Sequence, residues 1–211
     1  MIPSIRGVLN RHITKSSHRQ ITKSSHHQIN PMNWKKISST YLSDHIYFTA
    51  RKDRCERPDG KIIDPYFVVE LPPCVCAMAL TTDNEVILVK QYRHPLEESL
   101  LELPGGFIDE GEDAEKAIAR ELLEETGYAF SSFTSLGKLA ANPGILNNYT
   151  HLFLATGGKK VAIQQLDKNE EIEIILYSLE DARRMLQQNE IKQALHAACM
   201  FYAFEKLKVE G

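Results

Sequence analysis

Three glutamates are spaced so that their carboxylates meet on one face of a predicted helix. Glu121, Glu124 and Glu125 stand at positions i, i+3 and i+4 of a segment (residues 113–126) that ends before Gly127. In an exposed helix, like charges at this spacing repel one another by roughly a few tenths of a kcal/mol per pair. They become favourable when a hard divalent cation lies among them, because Mg²⁺ prefers oxygen ligands. Taken alone, the triplet is typical of either a solvated acidic helix face or a metal site.

The opposite side of the same predicted helix is small and apolar, which favours close packing on a sheet. The positions on that side are Ala114, Ala117, Ile118 and Leu122. The Gly105-Gly106 pair precedes the helix, and residues without a side chain allow the backbone to come close to a metal or a phosphate.

The complete spacing around the triplet resembles the signature of the Nudix hydrolases. Nine positions carry the resemblance: Gly106, Glu112, Arg120, Glu121, Leu122, Glu124, Glu125, Gly127 and Tyr128. Only Tyr128 departs from the pattern, which usually has an aliphatic residue there. The flanking segments 91–95 (QYRHP), 101–106 (LELPGG) and 142–144 (NPG) are similar to those of the branch that hydrolyses ADP-ribose and other nucleoside diphosphate sugars.

The resemblance covers about residues 34–207 and implies a fold. The expected class is α/β, a Nudix α/β/α sandwich with a mixed sheet and N-terminal antiparallel strands. In this branch it also implies a homodimer that exchanges N-terminal strands, so that residues 34–75 would reach the partner's active site. The implied partner is a small nucleotide-sugar substrate.

The resemblance also implies roles for individual residues. The Gly105 carbonyl, Glu121 and Glu125, assisted by Glu124, would hold Mg²⁺ (or Mn²⁺). Glu124, Glu125 and Arg120 are the predicted catalytic residues, with Arg120 paired to Glu112 so that loop and helix are fixed together.

The predicted substrate-binding residues are Arg93, Glu102 and Asn148. A planar guanidinium at Arg93 suits the paired oxygens of a diphosphate. Asn147 and Asn148 have two interpretations: they contact the sugar or base, or they shape a turn.

The general base is not identified by the sequence. The ADP-ribose enzymes usually carry a glutamate a few residues after the Pro-Gly, where this chain has only apolar residues, asparagines and a tyrosine (residues 145–149). An asparagine cannot accept a proton at neutral pH. Glu124, Glu170 and Glu171 remain as candidates, or a metal-activated hydroxide attacks with less assistance.

The remaining secondary structure is read from hydrophobic patterns and turn residues. Predicted strands lie at 45–51, 66–71, 74–80, 85–92, 136–141, 150–155 and 171–177, and predicted helices at 113–126, 179–188 and 190–207. Residues 86–89 (VILV) are continuously apolar, which is typical of a strand buried on both faces.

Charge separates a basic tail from an acidic body. The 211 residues carry a net charge of -3, but residues 1–43 contain seven Lys and Arg and no Asp or Glu. An acidic body argues against nucleic-acid binding, and no apolar run is long enough for a membrane span. The four cysteines follow no disulfide or zinc pattern, so reduced thiols are expected, with Cys74 and Cys76 on one strand face.

Residues 1–33 are predicted to be a disordered basic tail with an octapeptide repeat (residues 13–20 and 21–28). Three interpretations of the tail remain open: a dispensable extension, a mitochondrial presequence, or a segment upstream of a true start at Met32. We expect a cytoplasmic protein, with organellar targeting as the alternative.

The leading functional hypothesis is metal-dependent hydrolysis of a nucleoside diphosphate sugar such as ADP-ribose to a nucleoside monophosphate and a sugar phosphate. Alternative substrates are oxidised nucleoside triphosphates, dinucleoside polyphosphates or capped RNA. A non-catalytic nucleotide-sensing Nudix module is the alternative from a different class, and the intact set of carboxylates argues against it.

Overall fold

The computed structural model of the protein describes residues 32–45, 48–166, 168 and 170–210. The predicted disorder and repeat of the tail therefore lie outside the described residues. The chain divides into the units Met1–Asn33 and Trp34–Gly211, and every element named below lies in the second unit.

The described strands and helices follow one another in an order of strands, helix, strands and two terminal helices. The strands are β1 (Lys35–His45), β2 (Phe48–Glu56), β3 (Ile62–Glu70), β4 (Cys74–Thr81), β5 (Glu85–Arg93), β6 (Glu98–Glu102), β7 (Tyr128–Ala129), β8 (Ser132–Leu139), β9 (Thr150–Lys160) and β10 (Ile172–Ser178). The helices are α1 (Ala114–Thr126), α2 (Leu179–Gln187) and α3 (Ala194–Glu210), and a short 3-10 helix spans His94–Leu96.

Over the described residues, seven strands form a mixed sheet. Its main path runs β10-β5-β4-β9-β7, with β6 paired to β5 and β8 paired to β9. The β4–β9 pair is parallel, and the other pairs are antiparallel. Because β4 and β9 run parallel, the residues at their N-terminal ends lie side by side at the same edge of the sheet.

Alternating residues of β4 face two separate apolar cores, one on each side of the sheet. Cys76, Met78 and Leu80 pack with α2 and α3. Val75, Ala77 and Ala79 pack with α1, which contributes Ala117, Ile118 and Leu122 as predicted. The period of two in the strand therefore builds an α/β/α sandwich, and the predicted fold class is confirmed.

The N-terminal strands form a second sheet. Its order is β1-β2-β3, and both pairs are antiparallel. β1 is exposed along almost its whole length. β3 joins the main body through the Val69–Leu146 bridge and a hydrogen bond from the Tyr66 hydroxyl to the Gly144 carbonyl (3.0 Å).

Helix α1 has the boundaries that its capping residues predict. Asp113 is the N-cap, and its side chain accepts a hydrogen bond from the Glu115 N–H (2.9 Å). Gly127 ends the helix in the left-handed conformation, with φ 70°. β1, β6 and β7 were not predicted from the sequence. None of the helices in the described part of the chain is long and apolar enough to cross a membrane.

Candidate active site

A cavity of about 490 Å³ opens at the edge of the sheet between α1, the Gly105-Gly106 loop and the start of α3. Most of its lining is polar or charged. The lining residues are Cys74, Val75, Gln91, Arg93, Gly105, Gly106, Phe107, Asp109, Arg120, Glu121, Glu124, Glu125, Thr150, Gln165, Glu170, Gln193 and His196. The cavity thus contains all of the predicted metal ligands and catalytic residues.

Glu125 is the most buried carboxylate of the cavity. The residue is 6% exposed, and its Oε2 accepts a hydrogen bond from the Gly105 N–H (2.9 Å). Burial raises the pKa of Glu125 to about 8, although the Gly105 hydrogen bond opposes that shift. Burial also raises the pKa of Glu121, against the opposing effect of the paired Arg120. Burial thus disfavours the ionised forms of Glu121 and Glu125, and a positive charge added near them would stabilise those forms.

The two loop glycines are required by close approach. A Cβ on Gly105 would lie 2.1 Å from the Val75 carbonyl oxygen, and one on Gly106 would lie 2.5 Å from the Glu121 carboxylate. Side chains at these positions would displace β4 or Glu121. The loop therefore depends on glycine to let the strand and the helix converge.

The backbone of the loop leaves one carbonyl available. The Pro104 carbonyl accepts from the Ala77 N–H (3.1 Å), and the Gly106 carbonyl accepts from the Val75 N–H (2.9 Å). Successive carbonyls of an extended chain point in opposite directions, so the Gly105 carbonyl points away from β4. Among the described residues, none donates a hydrogen bond to it.

Arg120 connects α1 to the loop before it. Its Nε and Nη2 donate to Glu112 (3.1 and 3.0 Å), and its Nη1 donates to Glu121 (2.9 Å) and Glu124 (3.1 Å). The Glu112 hydrogen bonds, together with those to Glu121 and Glu124, raise the pKa of Arg120 above its ordinary value. The ion pair expected between Arg120 and Glu112 is present, and Arg120 also neutralises part of the acidic helix face.

Glu102 occupies a different position from the one predicted. It is 1% exposed and does not line the cavity. Arg93 Nε donates to both of its carboxylate oxygens (3.1 Å each), and Nη2 also contacts Oε2. A buried carboxylate requires such a partner. Glu102 therefore holds Arg93, whose partly exposed guanidinium does line the cavity, and the predicted contact of Glu102 with substrate stays a prediction.

Asn148 also lies outside the cavity lining. Its Nδ2 donates to the Pro72 carbonyl (2.9 Å) and approaches Cys74 Sγ (3.6 Å). Asn147 Oδ1 accepts from the Leu71 N–H (3.0 Å). Of the two interpretations given for this pair, the structure supports shaping of the backbone, because both amides brace the β3–β4 connection.

The loop after β9 is held against the end of α1. Gln164 Nε2 donates to the carbonyls of Glu125 (2.7 Å) and Ile172 (3.2 Å), and the Gln165 N–H donates to the Glu124 carbonyl (2.8 Å). Of the three candidate bases, Glu124 and Glu170 line the cavity, whereas Glu171 does not. The hydrogen bonds of Gln164 thus close the loop that carries Glu170.

Sequence reasoning did not find the wall formed by Gln91, Gln193 and His196. His196 Nδ1 accepts a hydrogen bond from the Leu103 N–H (3.1 Å). Burial lowers the pKa of His196 to about 4, and Arg93 contributes to the same shift. The imidazole is therefore neutral at physiological pH. These residues are distant in sequence from the glutamate helix, so no local pattern indicates them.

The cavity offers oxygen donors that suit a hard divalent cation. No preformed group of three His, Cys, Asp or Glu side chains that could hold a metal ion occurs among the described residues. The guanidinium of Arg120 is bonded to both Glu121 and Glu124. The buried carboxylates and the available Gly105 carbonyl nevertheless form an oxygen-only donor set, so the residues present fit such a cation.

Two known domain families match adjacent segments of the chain. The NUDIX domain matches residues 70–198, and the nucleoside diphosphate sugar hydrolase N-terminal domain matches residues 34–69. Nudix hydrolases generally use a divalent metal. The match to the N-terminal domain covers the three-stranded sheet.

Several proteins are similar over most of the chain. An ADP-ribose pyrophosphatase of Bacillus subtilis is 33% identical over 70% of this chain and 80% of its own. A methanol dehydrogenase activator of Bacillus methanolicus is 35% identical over 74% of this chain and 85% of its own. An ADP-ribose pyrophosphatase of Mycobacterium tuberculosis is 31% identical over 79% of this chain and 81% of its own.

A solved structure described as an ADP compounds hydrolase has the same fold, with a TM-score of 0.74. The match covers 84% of this chain and 96% of the other, at 23% identity. The resemblance read from the glycine and glutamate spacing is thereby confirmed, and the chain belongs to the Nudix hydrolase family.

Proposed function

We propose that this protein hydrolyses the diphosphate linkage of a nucleoside diphosphate sugar such as ADP-ribose, giving a nucleoside monophosphate and a sugar phosphate. The observation that carries the proposal is the convergence of Glu121, Glu124 and Glu125 with the Gly105-Gly106 loop in one polar cavity. The match of residues 34–69 to the nucleoside diphosphate sugar hydrolase N-terminal domain supports this substrate class.

The proposed metal ligands are the Gly105 carbonyl, Glu121 and Glu125, with Glu124 assisting, and the proposed ion is Mg²⁺ or Mn²⁺. Bound there, a divalent cation supplies charge that offsets the phosphate oxygens and helps to ionise the attacking water. Three features of the chain support the assignment. Glu125 is anchored by the Gly105 N–H, Gly106 leaves room for Glu121, and the Gly105 carbonyl points away from β4.

Arg93 is proposed to hold the diphosphate. The buried carboxylate of Glu102 binds one edge of the Arg93 guanidinium, which fixes the plane of the group while part of it stays accessible. A fixed guanidinium loses little conformational entropy when it binds paired phosphate oxygens. Glu102 therefore contributes to the site through Arg93.

Glu170 is proposed as the general base. It lines the same cavity as the α1 carboxylates, and Gln164 closes the base of its loop. Glu124 also lines the cavity, but its carboxylate accepts a hydrogen bond from Arg120 and is proposed to assist in holding the metal ion. Because Glu170 lies on a separate loop, it can accept the proton of the attacking water while the α1 carboxylates hold the metal ion.

A homodimer that exchanges its N-terminal strands is the proposed assembly. The sheet of β1, β2 and β3 carries large apolar side chains that are 40% or more exposed. They are Ile37, Tyr41, Leu42, Phe48, Ile62 and Phe67. A patch of this kind is typical of an interaction surface. Light scattering tests the assembly, and a 24.0 kDa species at working concentration would contradict it.

A cytoplasmic location is also proposed, on the basis of the sequence alone. A fluorescent fusion of the full chain tests it against a fusion that lacks residues 1–31. A mitochondrial signal that depends on the tail would overturn the proposal.

The activity is tested by a substrate panel with purified protein in Mg²⁺, Mn²⁺ and EDTA. The panel contains ADP-ribose, hexose conjugates, oxidised nucleoside triphosphates and dinucleoside polyphosphates, with products separated by chromatography. We expect AMP and ribose 5-phosphate from ADP-ribose, and no turnover in EDTA. A preference for triphosphates, or tight binding without turnover, would contradict the proposal.

A further inference from the structure

We propose that His196 is a substrate-contacting residue that donates a hydrogen bond from Nε2 to an oxygen of the sugar phosphate half of the substrate. The inference rests on the proposed function and deepens it by assigning a role to a lining residue outside α1 and the glycine loop. His196 lies near the start of α3, far in sequence from the glutamate helix.

The tautomer of His196 is set by its hydrogen bond to the backbone. Nδ1 accepts from the Leu103 N–H (3.1 Å), so in the neutral imidazole the proton resides on Nε2. Leu103 is fully buried at the end of the strand-to-loop segment. The ring is therefore held in one orientation, with a donor at its other end.

That donor faces the cavity. His196 is 9% exposed and lines the cavity. Among the described residues, no hydrogen-bond partner of Nε2 is present, and no fully buried side-chain nitrogen or oxygen lacks a partner. Nε2 is therefore not fully buried, and we infer that it reaches the cavity that His196 lines.

The surroundings indicate what Nε2 would bind. Gln91, Gln193 and Arg93 also line the cavity, and Phe107 is the only Phe, Tyr or Trp among the described lining residues. Gln193 is a neighbour of His196, whose backbone N–H donates to Gln193 Oε1 (3.0 Å). A nucleobase favours flat apolar or aromatic surfaces, whereas hydroxyl and phosphate oxygens favour amide, imidazole and guanidinium donors. This wall therefore suits the sugar phosphate better than the base.

The variants His196→Asn and His196→Leu separate the two hydrogen bonds of the ring. An asparagine carbonyl can accept from the Leu103 N–H, but its side chain is too short to place a donor where Nε2 lies. Leucine removes both hydrogen bonds. His151→Asn is the matched control, because His151 lies on β9 and does not line the cavity.

If Nε2 contacts the substrate, His196→Asn lowers kcat/KM for ADP-ribose by about tenfold, the effect of one lost hydrogen bond. Its Tm should stay close to that of the unaltered protein, and His151→Asn should have unaltered kinetics. Kinetics of His196→Asn equal to those of the unaltered protein would overturn the inference. So would a loss of Tm in both His196 variants without any change of KM or kcat in the asparagine variant.

Thermal-shift measurements with ribose 5-phosphate and AMP as separate probes identify which half of the substrate His196 contacts. His196→Asn should reduce the stabilisation by ribose 5-phosphate and leave that by AMP unchanged. The reverse result would overturn the assignment. Thermal shifts need no turnover, so they test His196 even if the substrate panel shows no activity. If the protein hydrolyses its substrate but His196→Asn has an unaltered ribose 5-phosphate shift, only this inference is refuted and the proposed function stands.

Discussion

The carboxylate of Glu121 lies in the space that a side chain on Gly106 would occupy. A Cβ on Gly106 would lie 2.5 Å from both Cδ and Oε1 of Glu121. The loop and the helix therefore constrain each other through a contact that needs a glycine on one side and a carboxylate on the other.

Gly106→Ala should displace the Glu121 carboxylate and lower kcat by about 100-fold, since a shift of about 1 Å at a reacting centre has effects of that size. The Tm should change little, because the displaced atoms are the end of a flexible side chain. Steady-state kinetics and thermal unfolding measure the two effects. In a Glu121→Ala background the same substitution should have no further effect on kcat; an additive loss would show that Gly106 acts by another route.

Glu125→Gln should lower turnover by about 100-fold or more, as expected for a lost metal ligand. The amide oxygen can still accept from the Gly105 N–H, so folding should be intact. Glu115→Gln, on the exposed part of the same helix, is the control. Turnover of Glu125→Gln close to that of Glu115→Gln would remove Glu125 from the metal site.

Glu170→Gln should lower kcat by about 100-fold, the smaller end of the range for a general base, with a smaller effect on KM. Glu171→Gln is the neighbouring control, because Glu171 does not line the cavity. Equal losses in both variants would exclude a specific role for Glu170.

Arg93→Met should leave the Glu102 carboxylate buried and unpaired, and should reduce the free energy of unfolding by at most about 3 kcal/mol, since Arg93 itself is partly solvated. Replacing Glu102 by Met as well should restore most of that stability. Activity should remain low in the double variant, because the phosphate-binding guanidinium is still missing. Urea unfolding and kinetics test this separation, and full recovery of activity would contradict the role of Arg93.

His196 should make the stability of the protein depend on pH below neutrality. Its pKa is about 4 in the folded protein, lowered mainly by burial and also by Arg93, while Glu102 opposes the shift. In the unfolded chain the ordinary value of 6.5 applies, so the unfolded state takes up a proton first as pH falls. The free energy of unfolding should therefore fall by up to about 1.4 kcal/mol per pH unit between about pH 6.5 and 4.

The matched measurement is urea unfolding of His196→Asn across the same pH range. This variant should lose that part of the slope, whereas His151→Asn should keep it. Parallel pH curves for the unaltered protein and His196→Asn would show that the folded imidazole titrates normally.

Local spacing was sufficient to predict α1 and its end at Gly127, because the glycine and the apolar positions act within a few residues of one another. The N-cap role of Asp113 was not predicted. The same spacing brings Glu121, Glu124 and Glu125 together at one cavity, and their role in holding a metal ion stays a prediction. β1 was missed because its residues are exposed almost throughout, so no burial pattern marks it as a strand. β6 and β7 are short strands, which pattern reasoning detects poorly.

The substrate side of the cavity was predicted less well because it depends on long-range geometry. Glu102 lies next to the glycine loop in sequence, but it points into the protein and pairs with Arg93. Asn148 braces Pro72, 76 residues away. His196 reaches Leu103 across 93 residues, and no local sequence feature reports such a contact.

Helix α1 has consequences for how this protein could acquire new preferences. Its inner residues, Ala117, Ile118 and Leu122, pack in one core, while Glu121, Glu124 and Glu125 line the cavity. A change that repacks this core would also turn the acidic residues, so the helix has little freedom to vary. We expect substitutions that change the nucleotide preference to be better tolerated in the N-terminal sheet, in the loop after β9 and in the first turn of α3.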